Sequence, residues 1–272
     1  MIQINLEDHT GNVQRQAKMD ESASVAKLIP ALITALGLPS HDQAGRPITY
    51  RLSFNERQLE EEESLRTAGV RNGDMISLIP EFTAGGVSSP RKWGARRRPL
   101  IELGQEISAP LVQNGLPEFA TRLPPPLGTG VCLTAAALAK IKAHAQSQAE
   151  VEVAGLLTGQ VYAEAERFVV LVEDIQRAQQ TIATCVSLQL TGASWQEILK
   201  ERASQPRATT LGWYHSHPGL GIFLSETDRF THQHFFGTER WYVALVFDPC
   251  ADAYGAFTWQ GEALNPTEVL IV

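Results

Sequence analysis

The chain has 272 residues, of which 43% are hydrophobic and 19% charged, with a formal net charge of −7. That balance excludes a globally disordered chain and one built as a whole to wrap nucleic acid or coat an anionic membrane. The length fits about two domains. Three scattered cysteines, Cys132, Cys185 and Cys250, form no CxxC pair, so neither a disulfide framework nor a thiolate zinc finger is expected. Each cysteine sits among apolar residues and reads as a buried or half-buried thiol. The start, MIQINLEDHT, is not a signal peptide, and no apolar run approaches the ~20 residues of a spanning helix. A soluble, cytoplasmic protein with no nucleic-acid or membrane partner is expected.

Residues 1–86 begin with a strand, Met1–Glu7, in which Ile2, Ile4 and Leu6 alternate with polar neighbours. The turn Asp8-His9-Thr10-Gly11 leads to a returning strand over Val13–Met19. Val25, Leu28, Ile29, Leu32, Ile33 and Leu36 then keep helical spacing. Ser22 or Ser24 is the candidate N-cap and Gly37 the stop, while Pro30 predicts a late start or a kink. Ile48–Phe54 and Met75–Pro80 read as two further strands. The order β-β-α-β-β is compatible with a β-grasp fold, among others.

Residues 87–129 carry six Lys and Arg against three Asp and Glu, and are the most proline-rich part of the chain. A basic, Pro-rich stretch between two acidic, apolar-patterned ones reads as a linker. The cluster from Arg91 to Pro99 reads as a solvated tether, being too short and isolated for a nucleic-acid site.

The strongest chemical signal lies at residues 211–228, LGWYHSHPGLGIFLSETD. Leu211–Tyr214 reads as a strand end. On a strand, positions i and i+2 point the same way, so His215 and His217 can face one point. Pro218 ends the pairing, and a loop leads to Ser225, a candidate N-cap that places Asp228 in the first helical turn. Two imidazoles and a carboxylate leave a fourth position open, as a catalytic zinc site requires. His232 and His234 repeat the His-x-His spacing but fall on the expected helix, where i and i+2 diverge. They read as bland, with one of them a possible support for the site. Trp241–Pro249 and Tyr254–Trp259 read as further strands.

Two resemblances follow from these residues. The run from Arg51 through Arg57-Gln58-Leu59, the acidic turn, Ser64-Leu65 and Gly73-Asp74 to Gly85-Gly86 resembles the second half of a ubiquitin-like domain, and the pattern covers residues 1–86. The diglycine matters because only glycine passes an extended tail through a narrow enzyme channel without a Cβ clash. The run HSHPGLGIFLSETD resembles the motif of the JAMM (JAB/MPN) metalloproteases, and Glu152-Val153-Ala154-Gly155 resembles their upstream Glu-x-x-Gly. This second resemblance covers about residues 130–272.

The resemblances imply an α+β or α/β chain. A β-grasp domain at 1–86 precedes a linker at 87–129, and a mixed α-β-α JAB/MPN domain of cytidine-deaminase-like layering fills 130–272. They imply Zn²⁺ as cofactor, held by His215, His217 and Asp228, with Glu152 as general base. Ser225 would donate to the oxyanion, worth on the order of 3 kcal/mol. The implied activity is a deubiquitinase-like isopeptidase acting after a Gly-Gly terminus, with Gly85, Gly86 and Val87 as a self-processing site. The implied partner is a ubiquitin-like modifier, its own or another copy, with activating and conjugating-like enzymes beside it. A processing peptidase for a sulfur carrier, and an inactive scaffold with a docking module, remain open. The stretch after Asp228 has no room for a linkage-selecting insertion, and the fused organisation points to a prokaryotic source.

Overall fold

The computed structural model describes residues 1–43, 45–81, 100–108, 111–123, 128–184, 188–204 and 208–272. Gly85, Gly86, Val87, Cys185 and the Arg91–Pro99 cluster lie outside the described residues. The described chain forms two compact units. The first holds residues 1–81, 100–108 and 191–200, and the second the remaining described residues.

In the first unit, β1 (Ile2–Glu7) and β2 (Gln14–Met19) pair antiparallel, with Ile2 opposite Met19. Helix α1 (Val25–Leu36) follows, then β3 (Thr49–Phe54), β4 (Arg57–Gln58) and β5 (Met75–Glu81). β5 runs parallel to β1 and antiparallel to β3, which makes it a central strand. Its residues Ile76–Pro80 are accordingly all buried. Val25, Leu28 and Leu32 are the buried residues of α1, at the i, i+3, i+7 spacing of one face.

Pro30 does not delay α1. Its opening N–H groups, Val25 and Ala26, donate to the carbonyls of Glu63 and Glu61, so the turn is fixed from outside the helix. Ser24 stands at the N-cap position, but its side chain makes no capping bond. Gly37 closes the helix at φ 65°, where its N–H and that of Leu38 reach back to the last turn.

Within the stretch expected as a tether, the described residues include two strands and a 3₁₀ turn. β6 (Ile101–Ser108) pairs antiparallel with β2, so the first sheet has the order β4-β3-β5-β1-β2-β6. β7 (Val112–Asn114) pairs with a strand of the second unit, and a 3₁₀ turn covers Glu118–Arg122.

The second unit continues with β8 (Gly130–Leu133), α2 (Ala135–Ser147), β9 (Ala154–Glu164) and β10 (Arg167–Arg177). A small sheet pairs β11 (Ile182–Ala183) with β12 (Leu188–Gln189). Then come α3 (Gly192–Ser204), whose first part belongs to the first unit, β13 (Thr209–Ser216), α4 (Glu226–Phe235), β14 (Val243–Asp248), β15 (Ala253–Gln260), β16 (Ala263–Thr267) and β17 (Val269–Ile271). The main sheet has the order β16-β15-β14-β13-β9-β10-β8-β17, with β7 beside β9. β13 and β14 are buried along their whole length, as expected of interior strands.

Of the cysteines, Cys132 is buried and burial pushes its thiol up to about 11. Cys250 is exposed, contrary to expectation, because it lies in the turn just past β14. Among the described residues, no helix is long and apolar enough to cross a membrane.

Gly155, the second β9 residue, explains the glycine of the Glu-x-x-Gly run. A Cβ there would stand 2.2 Å from the Gln176 carbonyl oxygen and 2.7 Å from the Tyr214 ring. Gly155→Ala is therefore expected to lose about 1–3 kcal/mol through overpacking, read as a clear drop in thermal midpoint.

Candidate metal centre and its neighbours

β13 and the start of β9 build the site. They run antiparallel, with His215 opposite Ala154 and Tyr214 opposite Gly155. The ladder extends past β9's first residue: Ser216 N–H donates to the Val153 carbonyl at 2.9 Å, and Val153 N–H donates to Ser216 Oγ at 2.9 Å. Glu152 is thereby carried to the strand end that bears His217. A one-residue irregularity at Thr210/Gly212 resets the alternation of β13. Past it, Trp213, His215 and His217 share one face.

The face is stiff. Trp213 stacks on His215 with ring centroids 4.6 Å apart at 11°. Its indole N–H donates to His232 Nδ1 at 3.2 Å, and burial depresses His232 to about 3, so it stays neutral and accepts. His234 turns away and bonds the Phe230 carbonyl. The two histidines of α4 thus diverge as expected, and one of them supports the site through Trp213. On the opposite face, the Tyr214 hydroxyl meets His144 Nδ1 of α2 at 2.7 Å.

His217 Nδ1 lies 3.2 Å from the Gly221 carbonyl, which can only accept, so Nδ1 carries the proton and Nε2 presents its lone pair. The loop bearing Gly221 is tied to Asp248 at the end of β14. That carboxylate accepts from the N–H groups of Gly219, Gly221, Cys250 and Ala251 at 2.9–3.3 Å. Burial opposes its charge, but these bonds hold its carboxyl below the usual range.

Ser225 caps α4. Its Oγ accepts from Asp228 N–H at 3.1 Å, and Asp228 Oδ2 accepts from Ser225 N–H at 2.8 Å, completing a capping box. This aims Asp228 inward. His215 Nε2 and His217 Nε2 are 3.0 Å apart, and Asp228 Oδ2 lies 3.4 and 3.8 Å from them. All three side chains are buried. A tetrahedral zinc with ligand bonds of about 2.0–2.2 Å separates its donors by roughly 3.2–3.6 Å; the three observed separations bracket that range, each within a few tenths of an ångström of it. Two imidazole nitrogens turned to one point beside a carboxylate suit a divalent cation. His215 Nδ1 is buried without a hydrogen bond, as in a ring held chiefly by stacking and by its other nitrogen.

Electrostatics agree with the geometry. Burial works against the charged form of His215, yet Asp228, by charge and hydrogen bond, and Glu152 raise it on balance. Burial and the charge of His215 lower His217. Burial opposes ionisation of Asp228, but His215 and the Ser225 bonds bring it down to about 2. Glu152, 4% exposed, behaves oppositely. Burial raises it to about 7, with His215 pulling down and Asp228 pushing up. It is a carboxylic acid poised near neutrality within the field of the triad.

Residues 128–238, which contain all of these groups, match the family described as JAB1/Mov34/MPN/PAD-1 ubiquitin protease. Residues 2–78 match YukD of the WXG100 protein secretion system. The chain joins a YukD-type ubiquitin-like domain to a JAB/MPN domain. It is 33% identical over 138 residues to the 26S proteasome non-ATPase regulatory subunit 14 of Dictyostelium discoideum, covering 50% of this chain and 44% of that protein. It is 30% identical over 144 residues to the 26S proteasome regulatory subunit rpn11 of Schizosaccharomyces pombe, covering 52% and 46%. To the COP9 signalosome complex subunit 5 of Eremothecium gossypii it is 32% identical over 117 residues, covering 43% and 27%. The chain thus spans less than half the length of these relatives. Ser216, whose hydroxyl fixes the register between β9 and β13, was invisible in the sequence, where it is only the middle of His-x-His.

Replacing Asp228 by Asn or His217 by Ala is expected to abolish stoichiometric binding of added Zn²⁺, measured by elemental analysis after desalting. Glu152→Gln, which leaves the three donors intact, should keep it.

Proposed function

We propose that the chain is a zinc-dependent isopeptidase that cuts after the C-terminal Gly-Gly of a ubiquitin-like modifier, and that its own Gly86–Val87 bond is one such substrate. His215, His217 and Asp228 are the zinc ligands in this reading. The observation that carries it is geometric: three buried donors that could hold one metal ion, with the buried Glu152 carboxyl at the strand end beside them. The JAB/MPN match and the ubiquitin-like domain on the same chain supply the substrate class.

Bound zinc supplies Lewis acidity and lowers the pKa of a coordinated water to about 7. The chain's own groups do the rest. Glu152, when ionised, takes a proton from the attacking water, and its raised pKa lets it hand that proton on to the departing amine. Ser225 Oγ accepts from a backbone N–H within the capping box, so its own O–H is left to donate to the carbonyl oxygen as charge develops there. Asp228 and His217 are pre-aimed by the capping box and by Gly221, so little side-chain freedom remains to be lost when the site is loaded.

The decisive experiment is the intact mass of the full chain incubated with Zn²⁺. The expected product ends at Gly86 in wild type and is absent in Glu152→Gln. An uncut wild-type chain that also leaves every Gly-Gly-terminated modifier conjugate intact overturns the reading. The base must be ionised, so kcat/KM should rise with pH along a limb with its midpoint at or below about 7, the bound cation drawing it down.

The same shift predicts a stability effect in chelator. The folded-state value of Glu152 lies above its ordinary 4.5, so its favourable contribution is present at low pH and is lost as pH rises through about 7. Glu152→Gln should therefore stabilise the chelated chain above pH 7 by up to about 3 kcal/mol, and the gain should vanish below about pH 4.5. Thermal melts across pH measure it.

Ser225→Ala should lower kcat by roughly 10²–10³ and remove about 1 kcal/mol of helix capping. Steady-state kinetics and melts separate the two effects.

A further inference from the structure

β6 lies at residues 101–108, between the two family matches, which end at residue 78 and begin at residue 128. It nevertheless completes the ubiquitin-like sheet. Its partners along β2 are Ile101 with Met19, Glu102 with Lys18, Leu103 with Ala17 and Glu106 with Arg15. Asp20 N–H donates to the Leu100 carbonyl at 3.0 Å and prolongs the ladder. The apolar side joins the core: Ile101 is buried and the strand lies against α1.

The polar side is charge-matched. Arg15 meets Glu106 at 3.4 Å and Lys18 meets Glu102 at 4.0 Å. Gly104 is held tightly, since a Cβ there would stand 3.0 Å from both Cβ and the carbonyl oxygen of Gln16. Without β6, the outer N–H and C=O groups of β2 would form an open strand edge, which invites another extended segment.

We propose that the β2 edge of the ubiquitin-like domain is a strand-acceptor site whose occupant is the acidic segment 101–108 carried by the protease half. Residues 101–108 lie after Gly86–Val87, so a cut there leaves one strand of the modifier's sheet covalently attached to the protease half. The two halves then stay joined by β2–β6 pairing, and release of the modifier requires displacement of that strand. The consequence for a self-cut chain rests on the function proposed above; the pairing itself does not.

The test is independent of the chain's own activity. In the full-length Glu152→Gln chain, a recognition sequence for a site-specific protease replaces residues 88–97, the chain is cut there, and the halves are followed by size exclusion and native mass spectrometry at micromolar concentration. The expected result is co-elution of the two halves, with release of the N-terminal half by excess peptide of the sequence LIELGQEISAP. Gly104→Val should separate the halves. So should the surface pair Glu102→Lys with Glu106→Lys, which leaves the core untouched, and Arg15→Glu with Lys18→Glu should restore association in that background.

Separation of the unsubstituted halves overturns the proposal. Co-elution that neither Gly104→Val nor the charge reversal weakens overturns it as well, because something other than β6 would then be joining them. Failure of self-processing alone would show in the uncut wild-type mass and would leave these outcomes unchanged.

Discussion

The pairing between the start of β9 and the end of β13 is the constraint on which the site depends. Strands are long-range partners, so this ladder brings together residues more than sixty positions apart at the cost of loop-closure entropy. Two reciprocal bonds between Val153 and Ser216 lock its last rung. A slip of one residue would turn His215 and His217 to the Tyr214 face, where α2 lies, and would move Glu152 out of reach. Gly155 enforces the same register from the other side, because no larger residue fits between Gln176 and Tyr214.

The second organising device is the start of α4. One pair of residues, Ser225 and Asp228, satisfies the helix N-terminus and also points the third candidate ligand inward. The carboxylate sits at the positive end of the helix dipole and accepts a backbone N–H, which offsets part of its desolvation. Glu152 has no such compensation and is raised instead. The two carboxyls therefore separate into one that stays ionised and one that can exchange a proton near neutral pH, and this separation is what an acid–base role beside a metal requires.

Support for these groups comes from residues that touch no ligand position directly. Asp248 gathers four backbone N–H groups and so shapes the loop whose Gly221 carbonyl fixes the His217 tautomer. His232 holds Trp213, which in turn holds His215 by stacking. On both routes the anchoring side chain is buried and bonded, Asp248 to backbone N–H groups and the Trp213 indole to His232. An unpaired alternative would leave a donor or acceptor unsatisfied in the interior.

The sequence made some of this legible and hid the rest for identifiable reasons. His215, His217, Ser225 and Asp228 could be found because strand alternation and capping chemistry each act over a few residues, and the β-β-α-β-β order could be found from local periodicity. Ser216 and Asp248 act across strands, so no local pattern marks them. Pro30 misled because the bonds that start α1 come from Glu61 and Glu63, some thirty residues on. β6 was hidden by averaging. The net positive charge of residues 87–129 comes largely from Arg91 to Arg98, and it concealed an acidic strand, Glu102 and Glu106 alternating with Ile101 and Leu103, just downstream. That strand meets Arg15 and Lys18 on β2. The sign of a segment's total charge says little about a partner that reads one face of one strand, and here the two signs lie within a few residues of each other.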